Sequence, residues 1–177
     1  RLMLTFGFES VKKNGVYDQV TEALKGRDYI EFWGIEPNPH VETLRKAIEQ
    51  GKENNIDYVL AVGGGSVLDG TKLIACGIAS DEDAWDIVLK RYTKTQIPFA
   101  SIMTVPATGS EMNRGAVITR NETKEKYSFA SNYPQFSILD PEVTYTLSEH
   151  QIACGLADAY VHVMEQYLTT TEQSRIM

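Results

Sequence analysis

Cysteine is nearly absent. Only Cys76 and Cys154 occur in 177 residues, with no Cys-x-x-Cys spacing and no cluster with the three histidines. That excludes a disulfide scaffold and a thiolate metal site. Both cysteines fall in apolar, helical-looking runs, so reduced core thiols in a cytoplasmic protein are the expectation. Also missing are a signal peptide and any apolar run of the roughly eighteen residues that a membrane-spanning helix needs. No block of five basic residues appears, and 17 Lys and Arg against 24 Asp and Glu give a net charge of -7. Nucleic acid and anionic membranes are therefore poor partners.

What is present is a globular composition, 42% hydrophobic and 23% charged, enough for one core or for one domain plus part of another. The chain opens on Arg1-Leu2-Met3-Leu4-Thr5-Phe6, a strand already under way, and stops at Ser174-Arg175-Ile176-Met177 beyond a long helical pattern. The expectation is a piece of a longer polypeptide, whose site could be completed by residues outside it.

Strand and helix patterns alternate as a parallel sheet with crossover helices requires. Apolar strands are predicted at 2–6, 29–33, 57–62 and 99–105, with 135–139 closing this half. Helices are predicted at 15–25, 40–54 and 67–79, a helix and loop at 80–95, a loop at 7–14, and an antiparallel pair at 115–120 with 127–131. After Asp140-Pro141 the character changes. Ser148 followed by Gln151 is a capping-box signature, and one helix without a strand partner runs from there to about residue 169. The boundary falls near 142–147. A Rossmann-like dinucleotide-binding α/β domain over 1–145 is then followed by the first part of an all-helical metal- and substrate-binding domain over 146–177.

Three segments carry possible chemistry. Gly63-Gly64-Gly65-Ser66 follows a strand and opens a helix. Glycines let the backbone approach an anion, and the free N–H groups and dipole of the helix N-terminus favour negative charge. A plain tight turn is the alternative. The segment is neither G-x-G-x-x-G nor a Gly-Lys-Ser/Thr phosphate loop. In the second segment, Thr104-Val105-Pro106-Ala107-Thr108-Gly109-Ser110-Glu111, Thr104, Thr108 and Ser110 place hydroxyls at the carboxyl end of a strand, where open α/β sheets bind ligands. Ordinary turn residues are the competing reading. In the third, Asp158-Ala159-Tyr160-Val161-His162, a carboxylate and an imidazole four residues apart on a helix can converge on one divalent cation. A solvated i,i+4 contact explains the same spacing.

Together, residues 62–72, 106–111 and 158–162 resemble the signatures of the iron-containing (group III) alcohol dehydrogenases, in the butanol dehydrogenase-like branch that reduces aldehydes with NADPH. Segments 10–20 and 34–39 are similar to the same branch. The resemblance implies that Gly64, Gly65 and Ser66 hold the pyrophosphate, with Asp69 at the mouth of the cleft. Thr104, Thr108 and Ser110 would line the nucleotide, Asn113 and Val117 the nicotinamide side, and Lys126 the nicotinamide ribose. Asp158 and His162 match the first two catalytic metal ligands. The metal is Fe²⁺ by resemblance, and Zn²⁺ by the usual affinity order. The substrate would be a small alcohol or aldehyde, and the assembly a homodimer.

Two departures stand out. The family's other two ligands, histidines from later helices, have no counterpart here, and a two-ligand site binds weakly. His40 and His150 are expected at the surface. Where the branch has glycines before Ser10, this chain has Gly7-Phe8-Glu9-Ser10. A carboxylate at Glu9 could favour NAD by repelling a 2′-phosphate, while Ser10, Lys12 and Lys13 favour NADP, the expectation adopted here. Rival readings are a dehydroquinate synthase-like or polyol enzyme of the same fold, for which Arg114 is the one basic candidate beside the loops, and a nucleotide-binding module without catalysis. Phe136, Ile138 and Val143 are expected to leave apolar surface near the boundary.

Overall fold

A computed structural model describes residues 1–169; the remainder of the predicted second domain, 170–177, lies outside the described residues. Five strands form one parallel sheet: β1 (Leu2–Phe6), β2 (Tyr29–Phe32), β3 (Tyr58–Gly64), β4 (Phe99–Val105) and β7 (Ser137–Leu139), in the order β2-β1-β3-β4-β7. β1 and β3 run in register from Leu2 opposite Tyr58 to Phe6 opposite Val62. A period of two then sends Met3, Val59 and Ala61 into one core and Leu4, Phe6, Leu60 and Val62 into the other. Both faces are covered, which is why these strands read as unbroken apolar runs.

Helices α3 (Val41–Glu53) and α4 (Gly65–Ile78) cover the first face, with the short α5 (Ala84–Leu89) beside them. The second face is covered by α2 (Val16–Ala23) through Val16 and Val20. An antiparallel hairpin, β5 (Gly115–Arg120) with β6 (Glu125–Ala130), adds Ala116, Ile118 and Phe129 to the first core. Its turn is tied to α3, because the Glu42 carboxylate accepts the backbone N–H groups of Asn121 and Glu122 at 3.3 and 3.1 Å. Helix α6 (Glu149–Thr169) follows a 3₁₀ segment at Pro141–Thr146. The Ser148 hydroxyl accepts from the Gln151 backbone N–H at 3.3 Å, and the Gln151 side-chain oxygen Oε1 accepts from the Ser148 backbone N–H at 3.2 Å, a reciprocal capping box. Among the described residues no helix is long and apolar enough to cross a membrane.

Four expectations are corrected. Segment 7–14 is not all loop: Ser10–Lys13 forms one helical turn, α1. Helix α4 begins at Gly65 rather than at residue 67, because the chain passes from strand to helix with no intervening turn. β6 starts at Glu125, two residues early, where the register with Arg120 closes the hairpin. Cys154 is exposed on α6, while Cys76 is buried in the core, where burial pushes its thiol up to about 12 and leaves it unreactive.

The strand order turns around between β1 and β3: the chain leaves β1 toward β2 and leaves β3 toward β4. In open α/β sheets the carboxyl ends at such a point frame the ligand crevice. Here these are the segments after Phe6 and Gly64. The close approach of α3 to α4 below that point depends on Gly77, where a Cβ would stand 2.3 and 2.7 Å from Ile48 side-chain carbons. Gly77→Ala is expected to cost about 1–3 kcal/mol by overpacking, read by denaturant unfolding. Combined with Ile48→Ala it should cost clearly less than the sum of the two.

Candidate functional site

The carboxyl end of β3 brings the α4 N-terminus, with its unpaired backbone N–H groups, to the sheet edge. At Gly65 a Cβ would fall 2.5 Å from the Thr108 hydroxyl oxygen and 2.9 Å from its methyl carbon, so only glycine lets the 106–109 loop lie against this helix start. Gly109, with φ +65°, then turns the loop into a 3₁₀ turn at Ser110–Met112. Ser66 accepts a hydrogen bond from the Asn38 N–H at 3.4 Å. Asn38 holds a left-handed backbone at φ +57°, and its side-chain carbonyl accepts from Lys126 Nζ at 2.7 Å. Asn38 is thus a site residue absent from the sequence-based list, carried in by the 36–39 turn.

Beneath the loop lies a buried charge network. Asp69 accepts from the Ser110 hydroxyl at 2.7 Å and from the Val117 N–H at 2.9 Å. One turn on, Lys72 is fully buried, and its ammonium reaches the Ser110 carbonyl and hydroxyl at 2.9 and 2.8 Å, the Gly115 carbonyl at 2.6 Å and Asn113 Oδ1 at 3.4 Å. Burial pushes the Asp69 carboxyl up, opposed by the bonds from Ser110 and Val117 and by Lys72. Burial likewise pushes Lys72 down to about 8, opposed by Asp69 and Glu111. Lys72 was missed from the sequence list. The available signal was a lone lysine between Thr71 and Leu73 in an otherwise apolar helix.

One cleft of about 560 Å³ gathers most of the predicted site. Its walls include Gly65, Ser66, Asp69, Thr108, Ser110, Asn113, Val117 and Lys126 on the α/β side, and Asp158 and His162 on α6. Gly64 adjoins it as the residue preceding α4. Asp158 Oδ2 and His162 Nε2 stand 3.7 Å apart and half-exposed, so both can face one cation. A carboxylate oxygen and an imidazole nitrogen at the cleft wall suit Fe²⁺ or Zn²⁺ as two of its ligands. Among the described residues no group of three His, Cys, Asp or Glu side chains comes together.

Ser10 and Thr104 lie elsewhere, lining a second cleft of about 240 Å³ with Lys13, Asn14, Thr146 and Gln151. Gly7 is packed under the Ile35 carbonyl, 3.3 Å from where its Cβ would be, and lines neither cleft. The Glu9 side chain is 76% exposed, its carboxylate 3.9 Å from Lys12, whose ammonium sits 4.5 Å over the Trp33 ring. Of the boundary apolar residues, Phe136 and Ile138 are half-exposed, whereas Val143 packs against the second core. His40 is not a simple surface residue: it is half-buried, with Nδ1 3.7 Å from Glu36. His150 is exposed beside Cys154, 3.6 Å from its sulfur.

Known proteins share this sequence and this fold. Residues 1–141 match the family model described as iron-containing alcohol dehydrogenase. The chain is 50% identical to the NADPH-dependent aldehyde reductase YqhD of Escherichia coli K12, over 99% of this chain and 47% of that protein. It is 44% identical to NADH-dependent butanol dehydrogenase A of Clostridium acetobutylicum, over 97% of this chain and 46% of that protein. The crystal structure of E. coli YqhD superposes with a TM-score of 0.95 at 49% identity, covering 99% of this chain and 47% of that one. NADH-dependent butanol dehydrogenase A from Thermotoga maritima superposes at 0.88 with 42% identity, covering 93% and 42%. The chain spans about half the length of the curated relatives it matches.

The contact at Gly65 is directly testable. Gly65→Ala should force Thr108 and its loop outward and weaken ADP binding by about tenfold, roughly 1.4 kcal/mol, in isothermal titration. Shortening the opposing residue in the double variant with Thr108→Ala should restore part of that loss.

Proposed function

From the premise that this chain belongs to the iron-containing alcohol dehydrogenase family, we propose that it forms the nucleotide-binding part, and the first metal-ligand helix, of an oxidoreductase. That enzyme interconverts alcohols and aldehydes by hydride transfer with NADP(H) or NAD(H). The observation that carries this reading is the single cleft with the α4 N-terminus on one wall and Asp158 and His162 on the other. The division into a dinucleotide-binding domain over 1–145 and a helical domain from 146 belongs to the same reading, as do a homodimeric assembly and a cytoplasmic location.

The α4 N-terminus, approached closely because residues 64 and 65 lack side chains, receives the pyrophosphate, with Ser66 as a further donor. Asn38 and Lys126, already bonded to each other, form the rim facing a ribose. Asn113 and Val117, on the segment held down by Asp69, face the nicotinamide end. Asp158 and His162 would hold a divalent cation, Fe²⁺ or Zn²⁺, together with ligands from outside these residues. When bound, that cation supplies Lewis acidity toward a substrate oxygen, and the nicotinamide supplies or accepts the hydride. The exposed half of Asp158 and His162 faces the cleft, where a small alcohol or aldehyde has room beside the nicotinamide end.

NADP is the cofactor we propose. Glu9, the residue that argued for NAD, projects to solvent, and Lys12 is engaged over Trp33. Lys13 and Ser10 instead line the smaller polar cleft, giving a 2′-phosphate a cation and a hydroxyl. Lys13→Ala is expected to weaken NADPH binding by about tenfold and NADH binding by less than about twofold. Equal loss for both would remove Lys13 from the choice, and Glu9→Gly should leave the NADPH to NADH ratio unaltered.

The metal assignment is tested by elemental analysis of the intact protein. About one iron or zinc per chain is expected, lost in Asp158→Ala and in His162→Ala with NADPH binding nearly intact. Unchanged metal content in both variants would remove these two residues as ligands.

A further inference from the structure

Lys72 does not line the cleft, yet everything its ammonium touches belongs to a segment that forms part of the cleft's α/β wall. Four oxygens surround it: the carbonyl and hydroxyl of Ser110, the carbonyl of Gly115 and the side-chain oxygen of Asn113. An ammonium has three N–H groups and no acceptor, so this all-oxygen cage suits the charged form. Asp69, one turn earlier on α4, holds the same segment from the other side through Ser110 and Val117. The 110–117 segment is therefore tied to α4 by both charged side chains at Ser110, by Lys72 at Asn113 and Gly115 and by Asp69 at Val117, and it lines the cleft with Asn113 and Val117.

We propose that Lys72 is a positioning residue for the nicotinamide end of the cofactor: without touching it, its caged ammonium fixes the register of residues 110–117 against α4. This rests on the reading of the cleft as a dinucleotide site. The adenosine end is set by other parts, the Ser10–Asn14 turn and Thr104, none of which bonds to Lys72. Loss of the ammonium should thus be felt selectively at one end of a dinucleotide.

Two ligands separate the ends: NADPH, followed by its fluorescence, and 2′-phospho-ADP-ribose, the same molecule without its nicotinamide, followed by calorimetry. In the intact protein Lys72→Met should weaken NADPH by about tenfold or more, while 2′-phospho-ADP-ribose changes by less than about twofold. A loss shared equally by both ligands, or no loss for either, would overturn the proposal.

A second readout needs no variant. Below about 8, the value to which burial depresses it, Lys72 carries its third proton, and above it the neutral amine can donate only two bonds to the cage. The charged groups facing it are Asp69 on α4 and Glu111 on the 3₁₀ turn, with Lys126 of β6 acting on Asp69. The affinity ratio of NADPH to 2′-phospho-ADP-ribose should accordingly fall as pH rises through about 8. If Lys72→Met does not fold, Lys72→Gln takes its place in the same pair of titrations, and an equal loss for both ligands or no loss for either overturns the proposal. Wild-type protein that binds neither ligand would instead remove the dinucleotide reading of the cleft, and this inference with it.

Discussion

The cleft depends on charge buried where the fold would otherwise place apolar packing. Helix α4 is buried along almost its whole length, and its neighbours at 67–77 are chiefly aliphatic. Lys72 within that run is tolerable only because four oxygens replace its hydration shell. The two carbonyls among them, of Ser110 and Gly115, belong to a 3₁₀ turn and the start of a strand, and the Ser110 carbonyl also takes a long bond, 3.5 Å, from the Asn113 N–H. The lysine and the irregular segment satisfy each other. Neither would be stable buried alone, which is why a short 3₁₀ turn and the start of a strand can form a defined wall of the site.

The sheet supplies the frame for that wall. Parallel strands covered on both faces leave a crevice at their carboxyl ends between β1 and β3, and the chain puts its smallest residues there, Gly7 after β1 and Gly63 to Gly65 from the end of β3 into α4. The hairpin β5–β6 closes the crevice from the side. It is held at its turn by Glu42, at Thr119 by the Pro39 carbonyl at 2.9 Å, and at Val117 by Asp69. Elements from four parts of the chain thus converge through polar contacts laid over an apolar base.

Much of this was legible in the sequence, for physical reasons. Strands β1, β3 and β4 are buried on both faces, so their apolar runs were unmistakable, and 2–6 and 99–105 matched to the residue. The glycine loop and the Asp-x-x-x-His spacing were legible because their geometry is local, set by one turn and by one helix. Lys72 and Asn38 were not, because their partners lie 38 to 43 and 88 residues away, and nothing in a local window marks such pairs. The α1 turn, only four residues long, is too short to show a period. Cys154 was misplaced because an apolar run on α6 reads as core, whereas Leu156, Tyr160 and Val163 on that helix are 69%, 66% and 64% exposed.

That exposure raises the question of how α6 keeps its two candidate ligands in place. A helix fixes Asp158 relative to His162 by its own geometry, but it does not fix the pair relative to the nucleotide wall. Gly155 of α6 faces Ala107, with room for a Cβ that would lie at an ordinary packing distance of 3.6 Å from the Ala107 methyl carbon. Ala107 belongs to the same loop that Gly65 admits against the start of α4 through Thr108. One loop therefore adjoins both helices, tightly at Gly65 and with room to spare at Gly155, and Asp158 follows Gly155 by three positions on the same face of α6. The approach of α6 is looser than that of α4, because a cleft of about 540 Å³ opens between residues 105–107 and Gln151, Ile152, Gly155, Leu156 and Ala159 of α6. A side chain added at residue 65 would therefore move the loop without obliging α6 to follow, so the candidate phosphate subsite and the Asp158–His162 pair can be altered separately.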